Sequence, residues 1–436
     1  MGRLFSAGVV GALVMLLSAA SLSAGPSANY YYFKTDNGGK VYCRIDNNEK
    51  KTVKIVSTLT CRYKDDRTLQ VNFSRPVVQQ VEGSLTLPAS VDLRHCDELY
   101  NIDEKAGVYT LVGIDGHAFK DCNKLQAVSI PSSVKTIGEY AFTGCTSLRS
   151  ITLPGTLENL SLAFAAGCDN LEAVNVGSGV GLTYHSFDGV LCKEGEIVYC
   201  PPKCPRSLTI PDSIKGIAKE VFAKNKQLNS VTISGATKIG EGAFKDCPNL
   251  QSVSILGPVE EIGDKAFEKC TALESILIPG SVKSVGGQAF SGCTALSSIA
   301  FGEGVETIGH HAFSECSMLT NVSMPKSLRK MYYSVFENCF GLERVVLQEG
   351  LESIPESAFC FCTALREIRV PSTVWVIRTK AFMGCTALER VVLPSAGLQE
   401  IGRYVFFGCE NLTSINVPEN TVTYEDTFFG CDKLVR

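Results

Sequence analysis

Apolar residues recur along most of this chain in a short fixed order. One clean unit places Leu273, Ile276, Ile278, Pro279, Val282, Val285, Gly286, Ala289, Phe290 and Cys293 at set intervals. Its general form is L-x-x-[IV]-x-[IL]-P-x-S-[VL]-x-x-I-G-x-x-A-F-x-x-C. Ile276 and Ile278 alternate with Leu277, so a short strand turns the two isoleucines to one face. Pro279 has no N–H to give a ladder, so the strand ends there. Val282 and Val285 begin the return side, Gly286 supplies a tight bend, and Ala289-Phe290 plug the interior.

The cysteines set the period. Eleven stand three residues after a phenylalanine: Cys122, Cys145, Cys247, Cys270, Cys293, Cys316, Cys339, Cys362, Cys385, Cys409 and Cys431; Cys168 joins them with one extra residue. From Cys247 to Cys385 the interval is always 23. No unit of that length can bury its own apolar face. Stacking places Leu on Leu, Ile on Ile and Phe on Phe in one continuous core. The predicted fold is therefore a β-rich repeat solenoid. Counted from Phe119 to Phe428 it is a rod of about fourteen coils, ~4.8 Å apart and on the order of 65 Å long.

The period breaks in three places. Between Phe187 and Phe222 the interval is 35, which predicts a hairpin insert at about 188–205 turning at 193–196. Residues 25–111 lack the repeat and carry strand-like runs at 30–34, 41–45, 53–59 and 69–73, with a turn signal at 36–39. They are expected to form an N-terminal β cap, because an open parallel edge invites aggregation. At the far end the chain stops partway into a fresh unit at Arg436, so self-association through that end is expected.

The unit resembles the BspA-type leucine-rich repeat over residues 112–436. Nearly every coil carries both the Leu-Ile-Ile half and the Ala-Phe-Cys half. Such repeats occur in surface proteins of oral and gut bacteria and of some mucosal protozoa. The resemblance implies a secreted or cell-surface location and adhesion to host proteins or other cells. It implies no catalytic residues.

Residues 1–24 read as a signal peptide. Arg3 opens it, 9–17 form a short apolar core, and small residues run from 18 to 24. The apolar run is too short for ~30 Å of hydrocarbon, and no membrane span is expected once the signal is removed. A net charge of -4 offers no basic footprint, so nucleic acid is not an expected partner.

Nineteen cysteines in an exported chain would suggest a disulfide framework, but twelve of them share one place in the repeat. There they are expected to be buried thiols acting as small hydrophobes. Neighbouring side chains in such a column point the same way, a full strand spacing apart, which is wider than a disulfide prefers. Asn225 takes the cysteine position in one coil and is expected to bond to backbone carbonyls. Off the ladder, Cys43 with Cys61 is an expected cap disulfide, and Cys200 or Cys192 is expected to pair with Cys204. Cys192, Cys200 and Cys204 lack a fourth ligand and metal-site spacing, so neither metal nor cofactor is expected.

Catalytic chemistry has no candidate. His310 and His311 occupy variable, solvated positions, and no nucleophile or phosphate-loop motif appears. Binding has one. Tyr332 takes a glycine position, Tyr333 follows, and Arg378 occupies the position of Tyr332 two coils on, with Pro355 between. Trp375, the lone tryptophan, has Glu352 and Gln399 as column neighbours. Tyr, Trp and Arg are the residue types enriched at binding hot spots. On the strand face the outward positions are small and polar early, then become Leu277, Val346, Arg369 and Val392. These features favour an adhesin or binding solenoid that takes an extracellular protein or glycan. The alternatives are a structural surface-layer scaffold and an accessory module of a carbohydrate-active system.

Overall fold

The computed structural model describes residues 30–34, 40–47, 52–55, 60–65, 68–72, 83–87, 89–92, 108–177 and 182–435, the strands before residue 83 by backbone alone. The signal segment 1–24 lies outside the described residues, as do the side chains of Cys43 and Cys61. The chain folds as two compact units. One comprises the residues up to 194 with 199–204; the other comprises 195–198 and 205–436. Both are all-β solenoids, with about thirteen turns between them and no helix among the described residues.

In the first unit, strands Gly83–Thr86, Leu125–Ser129, Ser150–Leu153 and Ala173–Val176 form one parallel sheet. A second sheet runs through Val108–Ile114, Thr136–Ile137 and Asn159–Leu160. Strand Thr52–Ile55 lies parallel to Val108–Ile114 on its other edge, and Lys40–Asn47 and Tyr30–Lys34 follow antiparallel. Parallel coil pairing thus reaches back to residues 83 and 108, before the first clear repeat.

The second unit is more regular. Ten parallel strands, from Ser207–Ile210 to Ser414–Ile415, build its first sheet. Each turns its apolar residues inward and its polar ones outward; in Ser275–Ile278 the pattern is exposed, buried, exposed, buried. On the other side each coil gives a two-residue strand, such as Glu261–Ile262, Ser284–Val285 and Thr307–Ile308; these pair in parallel as far as Lys330–Met331, and Ser353–Ile354, Val376–Ile377 and Glu400–Ile401 form a separate three-stranded sheet. Strands this short suffice because every coil repeats the same bond to the next.

Between the sheets the phenylalanine rings stack. Phe222, Phe244, Phe267, Phe290 and Phe313 lie 4.8 to 5.2 Å apart with interplanar angles of 10° or less. The turn beyond each ring adds a third ladder: the Phe244 N–H donates to the Ala266 carbonyl and the Phe267 N–H to the Ala289 carbonyl, both at 2.7 Å. The ladder thiols are buried, as their shared position predicts, apart from half-buried Cys431, and they are also bonded. From Cys145 on, each donates to the ring residue's carbonyl one coil back, as Cys293 to Phe267 at 3.2 Å, Cys316 to Phe290 at 3.3 Å and Cys339 to Phe313 at 3.1 Å; Cys122 donates to the Lys120 carbonyl instead. At Asn225 the side-chain oxygen accepts from the Gln227 and Leu228 N–H groups at 2.7 and 3.0 Å.

Two details differ from the sequence reading. Phe187 is not a core ring. It ends strand Tyr184–Phe187, which turns back at Asp188-Gly189 to pair antiparallel with Val190–Lys193, and it is only half-buried. Asp-Gly is a two-residue hairpin signal that outweighed the repeat. Against Phe164 stands Tyr199 instead, 5.2 Å away and tilted. The second detail is the glycine four residues before each ring. Gly286 has no unusual φ; a Cβ there would lie 2.5 Å from the backbone nitrogen of Asp264 in the preceding coil. The residue is small because two backbones touch, not because the chain bends.

Candidate functional site

That touching point is where the repeat breaks. The glycine column holds Gly240, Gly263, Gly286 and Gly309, then Tyr332, Pro355 and Arg378, then Gly402. A side chain here faces the backbone one coil back. Core rings stand 5.2 Å apart from Phe290 to Phe313 and 5.4 to 5.6 Å apart in every later step, including the one at which Gly402 returns, so ring spacing does not follow the glycine column. Tyr332 in the glycine position places an aromatic ring in solvent.

Tyr332 follows strand Lys330–Met331, donates its N–H to the Ile308 carbonyl at 2.9 Å, and is 42% exposed. The Lys330 ammonium sits 4.5 Å from its ring centroid, a cation–π contact. Tyr333 is the centre of a small cluster. His310 stacks on it at 5.2 Å, and His311 meets it edge-on at the same distance. Gly287 makes room for His310, since a Cβ there would collide with the imidazole. His311 Nδ1 lies 3.4 Å from a Glu337 carboxylate oxygen. Both histidines are half-buried against Tyr333 rather than solvated, a grouping that column alignment alone would have revealed.

Trp375 is exposed and sits where its register predicts. Its N–H donates to the Glu352 carbonyl at 3.0 Å, and its carbonyl accepts from the Gln399 N–H at 2.8 Å. Arg378 donates its N–H to the Ile354 carbonyl and is exposed, in the same column as Tyr332 with Pro355 between them. Two coil steps put them about 10 Å apart. Tyr332 and Tyr333 therefore follow Lys330–Met331, the last strand of the nine-stranded sheet, and Trp375 and Arg378 flank Val376–Ile377, the middle strand of the three-stranded sheet that comes after it. Arg369 does not join them: it ends strand Glu367–Arg369 of the first sheet, paired with Val392. There it helps hold the Glu349 carboxyl below its ordinary range, mainly through bonds that Glu349 accepts from the Ser372 N–H and hydroxyl.

Among the insert cysteines, Cys192 and Cys204 are buried and Cys200 is half-buried, its thiol 3.4 Å from the Pro201 carbonyl. Burial pushes the Cys192 thiol up to about 12. No group of three or more His, Cys, Asp or Glu residues among those described could hold a metal ion. A shallow depression of about 170 Å³ in the first unit is lined by Gln126, Ser147, Arg149 and Asn170. No helix among the described residues is long and apolar enough to cross a membrane.

One surface escaped the sequence reading. The residue after each core ring is Lys245, Glu268, Ser291, Ser314 and Glu337 in five successive coils, then Cys360, Met383, Phe407 and Phe429 in the next four. The switch from polar to apolar is visible in the sequence once the coils are written one beneath another.

Comparison with known proteins matches these coils. The BspA type leucine rich repeat region, in six copies, matches residues 94–191, 202–317, 237–365 and 352–436. Among solved structures, a leucine-rich repeat protein from Bacteroides ovatus is 25% identical, covers 81% of this chain and 92% of its own, and superposes with a TM-score of 0.54. A leucine rich cell surface protein from Faecalibacterium prausnitzii is 23% identical, with coverage of 91% and 94% and a TM-score of 0.40. The pneumococcal vaccine antigen PcpA is 17% identical, with coverage of 83% and 98% and a TM-score of 0.37. No curated protein matches the chain.

Proposed function

The chain belongs to the BspA-type leucine-rich repeat family, and from that premise we propose that it is an exported binding protein. It presents the C-terminal half of its solenoid to an extracellular protein or glycan. Residues 1–24 direct export, 25–111 cap the first coil, and 112–436 carry the binding surface. The observation that supports this reading is the broken glycine column. Coils on either side keep glycine there, Gly309 before and Gly402 after, yet Tyr332 and Arg378 take the position and stand exposed beside Tyr333 and Trp375. A repeat that gives up its glycine to display aromatic and guanidinium groups fits recognition. A scaffold whose only task is to stack would keep the glycine. The solenoid is a scaffold of the kind that serves binding rather than catalysis.

The test is direct binding of the purified mature chain to a panel of extracellular-matrix proteins, cell surfaces and glycans, alongside a Tyr332→Ala/Trp375→Ala variant. The reading expects binding that weakens at least tenfold in the variant, about 1.4 kcal/mol. Binding that is unchanged in the variant would leave adhesion standing and remove this face from it. No binding across the panel would favour the structural scaffold.

A further inference from the structure

The apolar switch after the core rings is confined to the last four coils of the second unit. Phe429 is 64% exposed and stacks on Phe407 at 5.5 Å; Tyr404 meets the edge of Phe407 at 5.9 Å. Phe361 stands one residue beyond Cys360 with φ 58°, in the left-handed region that a bulky side chain rarely adopts. Its ring is exposed and lies across Gly384, where a Cβ would collide with it. The Phe361 ring thus covers Gly384 beside Met383, while Gly408 beside Phe407 is half-buried. Cys360 is buried with the core; the accessible apolar surface comes from Phe361, half-buried Met383 and Phe407, and exposed Phe429, outside the buried rings Phe359, Phe382 and Phe406.

Two cations flank the stripe. Arg378 and Lys380 are exposed, and neither has a carboxylate within ion-pairing distance among the described residues. Arg403 in the next coil, by contrast, pairs with Asp426 at 3.2 Å. Lys380 lies close enough to Cys360 to offset part of the rise that burial gives its thiol.

We propose that this stripe docks an extended segment of a partner protein in which apolar side chains are interspersed with carboxylates. The apolar side chains lie against Met383, Phe407 and Phe429, and the carboxylates reach Arg378 and Lys380. The core rings beneath stand 5.4, 5.6 and 5.5 Å apart. The stripe is therefore about 16 Å long, the reach of roughly five extended residues. A glycan fits less well: Phe407 and Phe429 cover each other's faces and present edges, without hydroxyl or amide groups between them. An anionic bilayer fits less well too, because the carboxylate of Glu337 occupies the stripe's own column one coil before Cys360. The site differs from the Tyr332–Trp375 face and shares only Arg378 with it, so either can fail alone.

A displayed random dodecapeptide library selected on the full mature chain tests this. The selected peptides are expected to combine Asp or Glu with Leu, Ile or Phe. A synthetic peptide of that consensus should bind at least tenfold more weakly to Phe407→Ser/Phe429→Ser and to Lys380→Glu, and equally well to Tyr332→Ala. Lys380→Glu is a surface change that leaves the fold intact, so its result stands even if the double variant misfolds. Peptides without the acidic–apolar pattern, or equal affinity for Lys380→Glu, would overturn the proposal. So would stripe-dependent co-sedimentation with phosphatidylcholine–phosphatidylserine vesicles, or stripe-dependent dimerisation of the chain, because each names a different occupant.

Discussion

The ladder cysteine is one residue with three jobs. It fills a small volume, closes the turn after the ring, and satisfies a carbonyl that would otherwise have a single donor. In the second unit Cys270, Cys293, Cys316, Cys339, Cys362, Cys385 and Cys409 all have thiols pushed upward, chiefly by burial, with Cys293 and Cys339 at about 12. The folded state therefore keeps protons that the unfolded state releases above the ordinary value of 9.0. Stability is complete below that value and falls as pH rises toward the folded value, by about 1.4 kcal/mol per thiol per pH unit. Summed over these thiols, the loss at pH 10 is on the order of 10 kcal/mol, comparable to the whole stability of a typical domain. Circular dichroism against pH should show unfolding between about pH 9 and 10.5, and replacing two ladder cysteines by alanine should move it upward. A flat profile to pH 11 would mean the thiols are not sequestered. The sequence disclosed the common position of these cysteines, because a period needs only counting. The bond to the ring carbonyl was not legible, since it depends on which coil's carbonyl faces the sulfur.

At the scale of the coil, stacking imposes size limits that differ column by column. Gly309→Ala is expected to destabilise by about 1–3 kcal/mol, the usual cost of overpacking, because its Cβ would meet the backbone at Gly287. Chemical denaturation reads that directly. A neutral effect would mean that the glycine column reflects something other than backbone contact. Phenylalanines sort in the same way. Phe290→Ala should cost about 3–5 kcal/mol, whereas Phe187→Ala should cost under about 2 kcal/mol because that ring is half-buried in a hairpin. Equal costs would return Phe187 to the core. The reading of Phe187 went astray because the Phe spacing of 23 was kept while an Asp-Gly turn intervened. Local turn chemistry decided the structure there. The reading of Tyr332 as a glycine replacement held, since column identity survives wherever the period is unbroken.

Across the whole molecule, repetition supplies stability and departures from repetition supply identity. The two sheets, the ring stack and the thiol ladder are the same in nearly every coil of the second unit, so none of them can distinguish one partner from another. The distinguishing residues lie where columns change type: Tyr332, Pro355 and Arg378 among glycines, and Cys360, Met383, Phe407 and Phe429 among polar residues. The first change was legible because one odd residue stands out in a fixed motif. The second is harder to see, because the position is variable in every coil and its trend shows only when successive coils are written one beneath another. Arg369 was legible as an outward position of the strand face, and it stands there beside Val392, on a different sheet from the strands that Tyr332 and Trp375 flank.

The central claim is that Tyr332 and Arg378 break the glycine column in order to recognise something. The most direct measurement restores the repeat with Tyr332→Gly/Arg378→Gly and compares binding to the same extracellular panel with thermal stability. The account predicts a variant at least as stable as the native chain, with binding reduced at least tenfold. A restored variant that binds as tightly as the native chain would contradict it.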